Sequence, residues 1–280
     1  MEAPILIVGA GYVGGSLADR LLAEGREVII LRRRAEHPPG SRLIQADLAD
    51  GATLQGLPSC AQVVYCAAAD SGSEEAYERA YLTGLRNLLQ ALPSPPHVLY
   101  VSSTSVYAEA QGGWVDEDDS RLVRHGPSRF IVAGEEFAKE ASSAATILRF
   151  GGIYGPGRSY FLRRVASGQE LLYTGPVQYS NRIHRDDCVG ILLHLLGRRD
   201  LWGTVYNGVD SEATDRNQVI RWMAEHLGRP LESLARTDDS SRIPHRGNKR
   251  ISNRKILASG YTYRYPSFRE GYRELLDEFR

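Results

Sequence analysis

Residues 5–14 decide the fold of this chain, and they read Ile-Leu-Ile-Val-Gly-Ala-Gly-Tyr-Val-Gly. The four apolar residues predict a buried strand, the glycines a tight turn, and the residues from Tyr12 onward a helix. In such a turn the first glycine reverses the chain, the second admits a pyrophosphate, and the third lets the helix pack on the strand. The helix start adds N–H donors and a partial positive charge. The pattern therefore predicts a dinucleotide site formed by Gly9, Gly11, Tyr12, Val13 and Gly14.

Strand-like apolar runs alternate with helical patterns as far as residue 150. After a helix from Tyr12 to Ala23, strands are predicted at Val28–Leu31, Leu43–Gln45, Gln62–Cys66, Val98–Val101 and Thr146–Arg149. Further helices are predicted over residues 74–91 and 128–142. Apolar runs without polar alternation are typical of parallel strands buried on both faces. The fold class is therefore predicted as α/β, a doubly wound parallel sheet of the Rossmann type. Its ligand is expected outside the carboxyl ends of the strands, near Gly9–Gly14, Arg32, Asp47, Ala67 and Ser102.

The pattern changes after residue 150. Glycine, proline and tyrosine cluster in residues 151–160 and 172–181, and helices are predicted at about 186–198, 215–227 and 267–278. We therefore divide the chain into a dinucleotide-binding domain, residues 1–150, and a smaller, irregular substrate-binding lobe, residues 151–280. Because no repeat, low-complexity segment or flexible linker separates them, we expect the two lobes to pack as one compact unit.

Composition and charge argue against several classes of function. The chain has 280 residues with 34 basic and 34 acidic side chains, so its formal net charge is zero. A general nucleic-acid or membrane-surface binder carries a basic surplus, which this chain lacks. Its three cysteines do not have metal-ligand spacing, and no apolar run has the length of a signal peptide or membrane span. We expect a cytoplasmic protein without a metal site that binds neither nucleic acid nor membranes.

The end of the second predicted strand discriminates between the two nicotinamide dinucleotides. An acidic residue there accepts hydrogen bonds from the ribose hydroxyls of NAD, whereas arginine pairs with the 2′-phosphate of NADP. This chain has Arg32, Arg33 and Arg34 at that point, and the next acidic residue is Glu36. We predict NADP as the preferred cofactor, contacted by Arg32 and Arg33. NAD stays open, because all but three of the 34 basic residues are arginines and an exposed arginine run needs no ligand.

Several segments occur along the chain in a familiar order. They are Val8–Gly14 (VGAGYVG), Asp47-Leu48, Cys66–Ala69 (CAAA), Val101–Tyr107 (VSSTSVY), Leu148–Pro156 (LRFGGIYGP), Ile183–Asp187 (IHRDD) and Tyr206-Asn207. In this order they resemble the extended form of the short-chain dehydrogenase/reductase superfamily, which includes the nucleotide-sugar epimerases and dehydratases. The resemblance covers nearly the whole chain.

The resemblance implies roles for individual residues. It assigns adenine contacts to Asp47 and Leu48, ribose contacts to Ala67, Ala68 and Ala69, and nicotinamide contacts to Gly152 and Ile153. Ser103, four residues before Tyr107, matches the catalytic serine or threonine of the superfamily. The alternative for Ser103 is a structural role, in which its hydroxyl satisfies a backbone group at the end of a strand.

The chain departs from the superfamily at its acid–base pair. Those enzymes use a tyrosine followed four residues later by a lysine, and the cation lowers the tyrosine pKa so that it can shuttle a proton. No tyrosine in this chain has a lysine at that spacing. The expected pair falls on Pro127 and Ile131, or on Phe130 and Gly134. In this respect the chain resembles atypical members of the superfamily, which keep the cofactor fold and often lack the tyrosine.

Two functions follow from these observations. The first is an NAD(P)-dependent oxidoreductase of the nucleotide-sugar epimerase, dehydratase or reductase type, in which Ser103 polarises a substrate carbonyl and Tyr154 moves the proton. The second is a catalytically silent NADP(H)-binding sensor or regulatory protein, which the missing pair favours. We lean to the enzyme, because another group can replace the pair. Helices at 74–91 and 128–142 pair subunits in many relatives, so a homodimer is a further prediction.

Overall fold

The computed structural model describes residues 3–94, 96–242 and 247–279. Its strands are β1 (Ile5–Val8), β2 (Val28–Arg32), β3 (Arg42–Gln45), β4 (Gln62–Tyr65), β5 (His97–Ser103), β6 (Gly113–Val115), β7 (Thr146–Phe150), β8 (Gly152–Tyr154), β9 (Leu172–Tyr173), β10 (Tyr179–Ser180), β11 (Arg182–His184), β12 (Val205–Gly208), β13 (Thr214–Asp215), β14 (Arg236–Thr237) and β15 (Lys249–Ile251). Its α-helices are α1 (Tyr12–Ala23), α2 (Glu74–Glu78), α3 (Gly84–Ala91), α4 (Arg129–Ala141), α5 (Tyr160–Ala166), α6 (Arg185–Leu196), α7 (Arg216–His226), α8 (Arg254–Ala258) and α9 (Phe268–Leu276). Short 3₁₀ turns cover Gly51–Leu54, Thr104–Val106, Arg199–Leu201, Leu231–Ser233, Ser240–Arg242 and Asp277–Phe279.

Seven strands form one sheet in the order β12-β7-β5-β4-β1-β2-β3. The neighbouring pairs from β5 to β3 are parallel, and Val8 at the end of β1 lies opposite both Leu31 and Tyr65. All four residues of β1 are completely buried, which is why the strand reads as an unbroken apolar run. The predicted doubly wound parallel sheet is confirmed. Strand order reverses between β1 and β4, so a ligand crevice is expected beyond their carboxyl ends.

The predicted helices are all observed, but the one over residues 74–91 is interrupted, and α5 and α8 were not predicted. Helix α1 begins and ends where the sequence predicts, because Val13, Leu17 and Leu21 form one buried stripe along it. The helix predicted over 74–91 is instead divided by a π-helical turn over Arg79–Thr83. The sequence pattern did not predict this turn, because the tyrosine hydroxyls that bind its carbonyls, Tyr65 and Tyr100, lie on β4 and β5.

The chain forms two compact units. The first unit comprises Met1–Val106, Leu122–Arg149 and Val189–Tyr206, and the second comprises Tyr107–Arg121, Phe150–Cys188 and Asn207–Arg280. The chain passes from the first unit to the second between Arg149 and Phe150, next to the division predicted at residue 150. Residues 107–121 and 189–206 are assigned differently, because β6 pairs with β15 and β12 adds to the large sheet next to β7.

The second unit contains short strand pairs and helices. The pairs β6–β15, β8–β11 and β9–β14 are parallel, and β10–β13 is antiparallel. Its core draws on β8, β9, α5, α7, α9 and the segment before β14, through Tyr154, Leu162, Val165, Leu172, Val219, Ile220, Met223, Ala224, Leu234, Phe268, Tyr272, Leu275 and Leu276. In neither unit is any described helix long and apolar enough to span a bilayer.

Candidate cofactor site

The carboxyl ends of the strands in the first unit border a cavity of about 300 Å³. Cavities of this size begin to accommodate small molecules and cofactors. The wall is formed by the turns after β1, β2, β3 and β4 and by the start of the helical segment that follows β4. The lining residues are Gly9–Gly11, Leu31–Arg34, Ala46–Ala49, Cys66–Asp70, Ala76, Arg79 and Ala80.

Backbone contacts shape the glycine turn after β1. Gly9 has a φ of +88°, and a Cβ atom placed there would lie 2.9 Å from the backbone of Ala67. A Cβ atom on Gly14 would lie 2.2 Å from the carbonyl oxygen of Gly9, whereas one on Gly11 would meet nothing within 4 Å. Positions 9 and 14 are therefore closed by the protein itself. Position 11 faces open space, as expected of the glycine that admits a pyrophosphate.

Helix α1 directs its N-terminus at this turn. The N-cap is Gly11, which has no side chain to bind the first N–H groups, and the first turn contains no acidic residue. The first N–H groups of a helix have no carbonyl partner within the helix and carry the positive end of its dipole. With the open space at Gly11, this arrangement fits the pyrophosphate of a dinucleotide.

The lining of the cavity carries more positive than negative charge. Four arginines and two aspartates give it a net charge of +2: Arg32, Arg33, Arg34, Arg79, Asp47 and Asp70. One aspartate lies between two of these arginines, because Asp70 is 3.4 Å from a guanidinium nitrogen of Arg33 and 3.9 Å from one of Arg79. Guanidinium groups pair with phosphate through two parallel hydrogen bonds. The residues present therefore fit a phosphate beside the end of β2.

Asp47 and Leu48, the predicted adenine contacts, are held by local hydrogen bonds. The Asp47 carboxylate accepts the backbone N–H of Ala49 at 2.9 Å, and the Thr53 hydroxyl donates to the Asp47 carbonyl at 2.9 Å. The side-chain amide of Asn87 donates to the Leu48 carbonyl at 2.8 Å. These bonds fix the turn after β3, where Asp47 and Leu48 line the cavity.

The turn after β4 supplies the predicted ribose contacts. Ala67, Ala68 and Ala69 line the cavity, and none of them has a side chain larger than a methyl group. Cys66 precedes them, and burial raises the pKa of its thiol to about 12. The thiol is therefore protonated at neutral pH and has no nucleophilic character.

The two serines at the end of β5 have different partners. The buried Ser102 hydroxyl donates to Glu135 Oε1 at 2.5 Å, and Glu135 also accepts two hydrogen bonds from Arg149, at 2.9 and 2.6 Å. Ser103 accepts the backbone N–H of Ser105 at 3.2 Å. The Ser102 hydroxyl is thus part of a buried polar network, whereas the Ser103 hydroxyl proton is not used by that bond. Their predicted roles, in cofactor binding and catalysis, stay predictions.

Gly152, Ile153 and Tyr154 form β8 in the second unit. Tyr154 is only 4% exposed, and its ring stacks on Tyr272 with centroids 4.2 Å apart. Burial raises the pKa of Tyr154 far above its ordinary value, and its hydroxyl has no hydrogen-bond partner among the described residues. A Cβ atom on Gly271 would lie 2.0 Å from that hydroxyl. The nicotinamide and proton-transfer roles predicted for this strand stay predictions, and these observations favour a structural role for Tyr154.

Helix α4 leaves no room for the missing lysine. A Cβ atom on Gly134 would lie 2.3 Å from both the Tyr100 hydroxyl and the Tyr81 carbonyl oxygen. The alternative position, Ile131, is 2% exposed and belongs to the core. Both candidate positions of the lysine are thus used for packing inside the first unit, which explains the departure of the sequence from the superfamily pattern.

Sequence reasoning missed part of the cavity wall. Arg34 and Asp70 were not predicted as cofactor contacts, although they follow the predicted Arg33 and Ala69 in the turns after β2 and β4. Arg79 had no signal in the sequence, because it lies on a predicted helix whose orientation toward the ligand depends on the π-helical turn.

Comparisons with known proteins agree with this geometry. Residues 5–207 match the family model described as the NAD dependent epimerase/dehydratase family. Protein YeeZ of Escherichia coli K12 is 26% identical over 279 residues, covering 94% of this chain and 96% of YeeZ. A solved structure from Methylobacillus flagellatus, named for the same epimerase/dehydratase class, is 34% identical over the whole of both chains, with a TM-score of 0.82. The structure of MoeE5 in complex with UDP-glucose and NAD is 27% identical, covers 98% of this chain and 97% of MoeE5, and has a TM-score of 0.78.

Proposed function

The chain belongs to the NAD-dependent epimerase/dehydratase family, and we propose that it is an NAD(P)-dependent oxidoreductase with an atypical active site that acts on a sugar nucleotide or a related carbonyl compound. The observation that carries the proposal is the cavity of the first unit. Its glycine turn, helix N-terminus and net charge of +2 all suit a phosphorylated dinucleotide. The sugar-nucleotide class is supported by MoeE5, whose structure is a complex with UDP-glucose and NAD.

The cavity residues divide the binding of the dinucleotide among them. When bound, the nicotinamide would supply hydride transfer. Within the proposal, the turn from Gly9 to Gly14 holds the pyrophosphate, Asp47 and Leu48 the adenine, and Ala67–Ala69 the ribose. Arg32 and Arg33 favour NADP over NAD, because their charges pair with a 2′-phosphate that NAD lacks.

Ser103 is the catalytic residue that we carry forward from the sequence. Its oxygen is oriented by the N–H of Ser105, so its own proton can be donated to a carbonyl oxygen of the substrate. Tyr154 is a weaker choice for the proton carrier, because burial raises its pKa and its hydroxyl is enclosed beside Gly271.

A second candidate function is favoured by the closed lysine position at Gly134. A protein that keeps the dinucleotide cavity but has no space for the acid–base pair is suited to sensing NADP(H) without turnover. On this alternative, cofactor binding changes the association of the protein with a partner.

Binding and turnover measurements distinguish the two functions. NADPH and NADH binding is measured first by nicotinamide fluorescence. Turnover of UDP-glucose, other sugar nucleotides and simple aldehydes is then followed both by absorbance of the reduced cofactor, for net reduction or oxidation, and by chromatography of the products, for epimerisation or dehydration that regenerates the cofactor. Turnover that Ser103→Ala abolishes without changing the NADPH dissociation constant supports the enzyme. Tight NADPH binding without turnover of any compound supports the sensor. If neither nucleotide binds, both functions are refuted.

A further inference from the structure

The helical segment after the Ala67–Ala69 turn contains an unusual feature beside the cavity. Between α2 and α3, the π-helical turn Arg79–Thr83 replaces regular helix, and the Gly84 N–H donates to the Arg79 carbonyl, five residues earlier instead of four. Such turns are rare, and they occur frequently at functional sites. Two residues at this end of the turn, Arg79 and Ala80, form part of the cavity wall.

Two buried tyrosines hold this turn from the sheet. The Tyr65 hydroxyl donates to the Ala80 carbonyl at 2.5 Å, and the Tyr100 hydroxyl donates to the Tyr81 carbonyl at 3.1 Å. Both tyrosines are completely buried on the adjacent strands β4 and β5, and their rings stack with centroids 5.6 Å apart. Because a buried hydroxyl without a hydrogen-bond partner is destabilising, each tyrosine holds the carbonyl that it bonds in place.

A glycine completes the contact between the turn and the sheet. A Cβ atom on Gly84 would lie 2.8 Å from the Tyr65 hydroxyl and 2.9 Å from the Arg79 carbonyl oxygen. Any side chain at Gly84 would therefore displace either the tyrosine or the turn. The π-helical turn is thus held by the two tyrosine hydroxyls and packs against the sheet at Gly84.

The turn determines which way Arg79 faces. One additional residue in a helix rotates the preceding segment by about 100° relative to the following one, because an α-helix has about 3.6 residues per turn. With the turn present, Arg79 lines the cavity and approaches Asp70, whose other carboxylate oxygen approaches Arg33. Two arginines from different elements, the end of β2 and the helical segment, thus share a single carboxylate and keep a net charge of +1 between them.

We propose that Arg79 is a specificity-determining residue that selects NADP over NAD, and that the pair of Tyr65 and Tyr100 is a positioning device for it. The inference rests on the proposed function, since it assumes that the cavity holds a dinucleotide. The 2′-phosphate is the group that distinguishes NADP from NAD. Arg33 and Arg79, joined through Asp70, provide two guanidinium groups for that phosphate.

The experiment compares dissociation constants for NADPH and NADH in four proteins. Arg79→Met is expected to weaken NADPH about tenfold and NADH less than about twofold, because a charge-assisted contact to one phosphate is lost. Arg86→Met is the matched control: it removes the same charge from α3, where the Arg86 guanidinium lies 5.3 Å from the centre of the Phe137 ring. It is expected to change neither constant. Tyr65→Phe is expected to weaken NADPH by a smaller factor and to leave NADH unchanged.

Each alternative result has a defined meaning. Equal weakening of both nucleotides by Arg79→Met, or no effect on either, overturns the specificity role. If Tyr65→Phe weakens both nucleotides equally, or lowers only the melting temperature, the positioning role is overturned. Should the Tyr65 variant fail to fold, the Arg79 result still decides the specificity. A native protein that binds neither nucleotide refutes the proposed function itself, and this outcome is distinct from a change in the NADPH-to-NADH ratio.

Discussion

Two single substitutions in the glycine turn, each of which adds one methyl group, should separate the effect on cofactor binding from the effect on folding. In Gly11→Ala, the new methyl group meets no protein atom within 4 Å, and the backbone of Gly11 has a negative φ of −86°. Because alanine is a poorer N-cap than glycine and Gly11 has a ψ of −146°, we expect the free energy of unfolding to fall by about 1 kcal/mol or less. In Gly14→Ala, the methyl group would lie 2.2 Å from the Gly9 carbonyl oxygen. Overpacking costs about 1–3 kcal/mol and outweighs the gain of up to about 1 kcal/mol in helix propensity, so this variant should be less stable.

For cofactor affinity we expect the reverse order, in which Gly11→Ala has the larger effect. The Gly11→Ala methyl group occupies the open space beside the α1 N-terminus, where we propose that the pyrophosphate common to NADPH and NADH binds. We expect both nucleotides to bind at least about tenfold more weakly, equivalent to about 1.4 kcal/mol. Urea denaturation of the free protein and fluorescence titration with each nucleotide provide the two measurements.

A neighbouring glycine supplies the control. A Cβ atom on Gly15 would lie 3.6 Å from the Ala10 carbonyl oxygen, an ordinary contact, so Gly15→Ala should fold normally and gain up to about 1 kcal/mol from helix propensity. Normal nucleotide affinity in a folded Gly11→Ala protein would refute the placement of the pyrophosphate. Native stability in Gly14→Ala would refute the close contact with Gly9.

Three further perturbations test other parts of the structure. Burial lowers the pKa of His97 to about 4 in the folded protein, so the unfolded chain binds more protons below its ordinary pKa of about 6.5, and stability should fall by about 1–2 kcal/mol from pH 7 to pH 5. His97→Phe should lack this loss in urea denaturation, and equal pH slopes would contradict the assignment. Arg149→Met leaves the buried Glu135 carboxylate without its cation and should cost about 3–5 kcal/mol by the same assay; a loss under about 1 kcal/mol would show that the pair is dispensable. Tyr154→Phe removes a buried hydroxyl with no described partner and should raise stability by up to about 1 kcal/mol without loss of turnover, whereas lost turnover in the folded variant would establish Tyr154 as the proton carrier.

Part of the cavity wall was predictable because it comes from short, local patterns. Nine of its nineteen wall positions, including Gly9, Arg33 and Asp47, are among the cofactor contacts predicted from the sequence, since they lie at or shortly after the ends of the parallel strands. Chain ends of parallel strands converge at one edge, so strand prediction alone brings these residues together. Six strands of the sheet were predicted for a related reason, because strands buried on both faces read as continuous apolar runs, whereas β12 was not predicted.

Other features depend on contacts between residues far apart in the chain. The Ser102–Glu135–Arg149 network joins β5, α4 and β7, and no spacing in the sequence connects its members. The assignment of residues 107–121 to the second unit follows from the pairing of β6 with β15, over 130 residues later. Such contacts depend on how distant elements pack together, and the local periodicity of the sequence does not predict that packing.

By itself, the sequence determined a doubly wound parallel sheet, a glycine turn suited to a pyrophosphate, and an arginine run at the end of the second strand. These follow from steric and hydrophobic rules that operate within a few residues. Only the tertiary structure decided that Arg79 faces the cavity and that Gly134 has no room for a lysine. Both depend on the hydroxyls of Tyr65 and Tyr100, which reach from the sheet to the helices and fix where each backbone can lie.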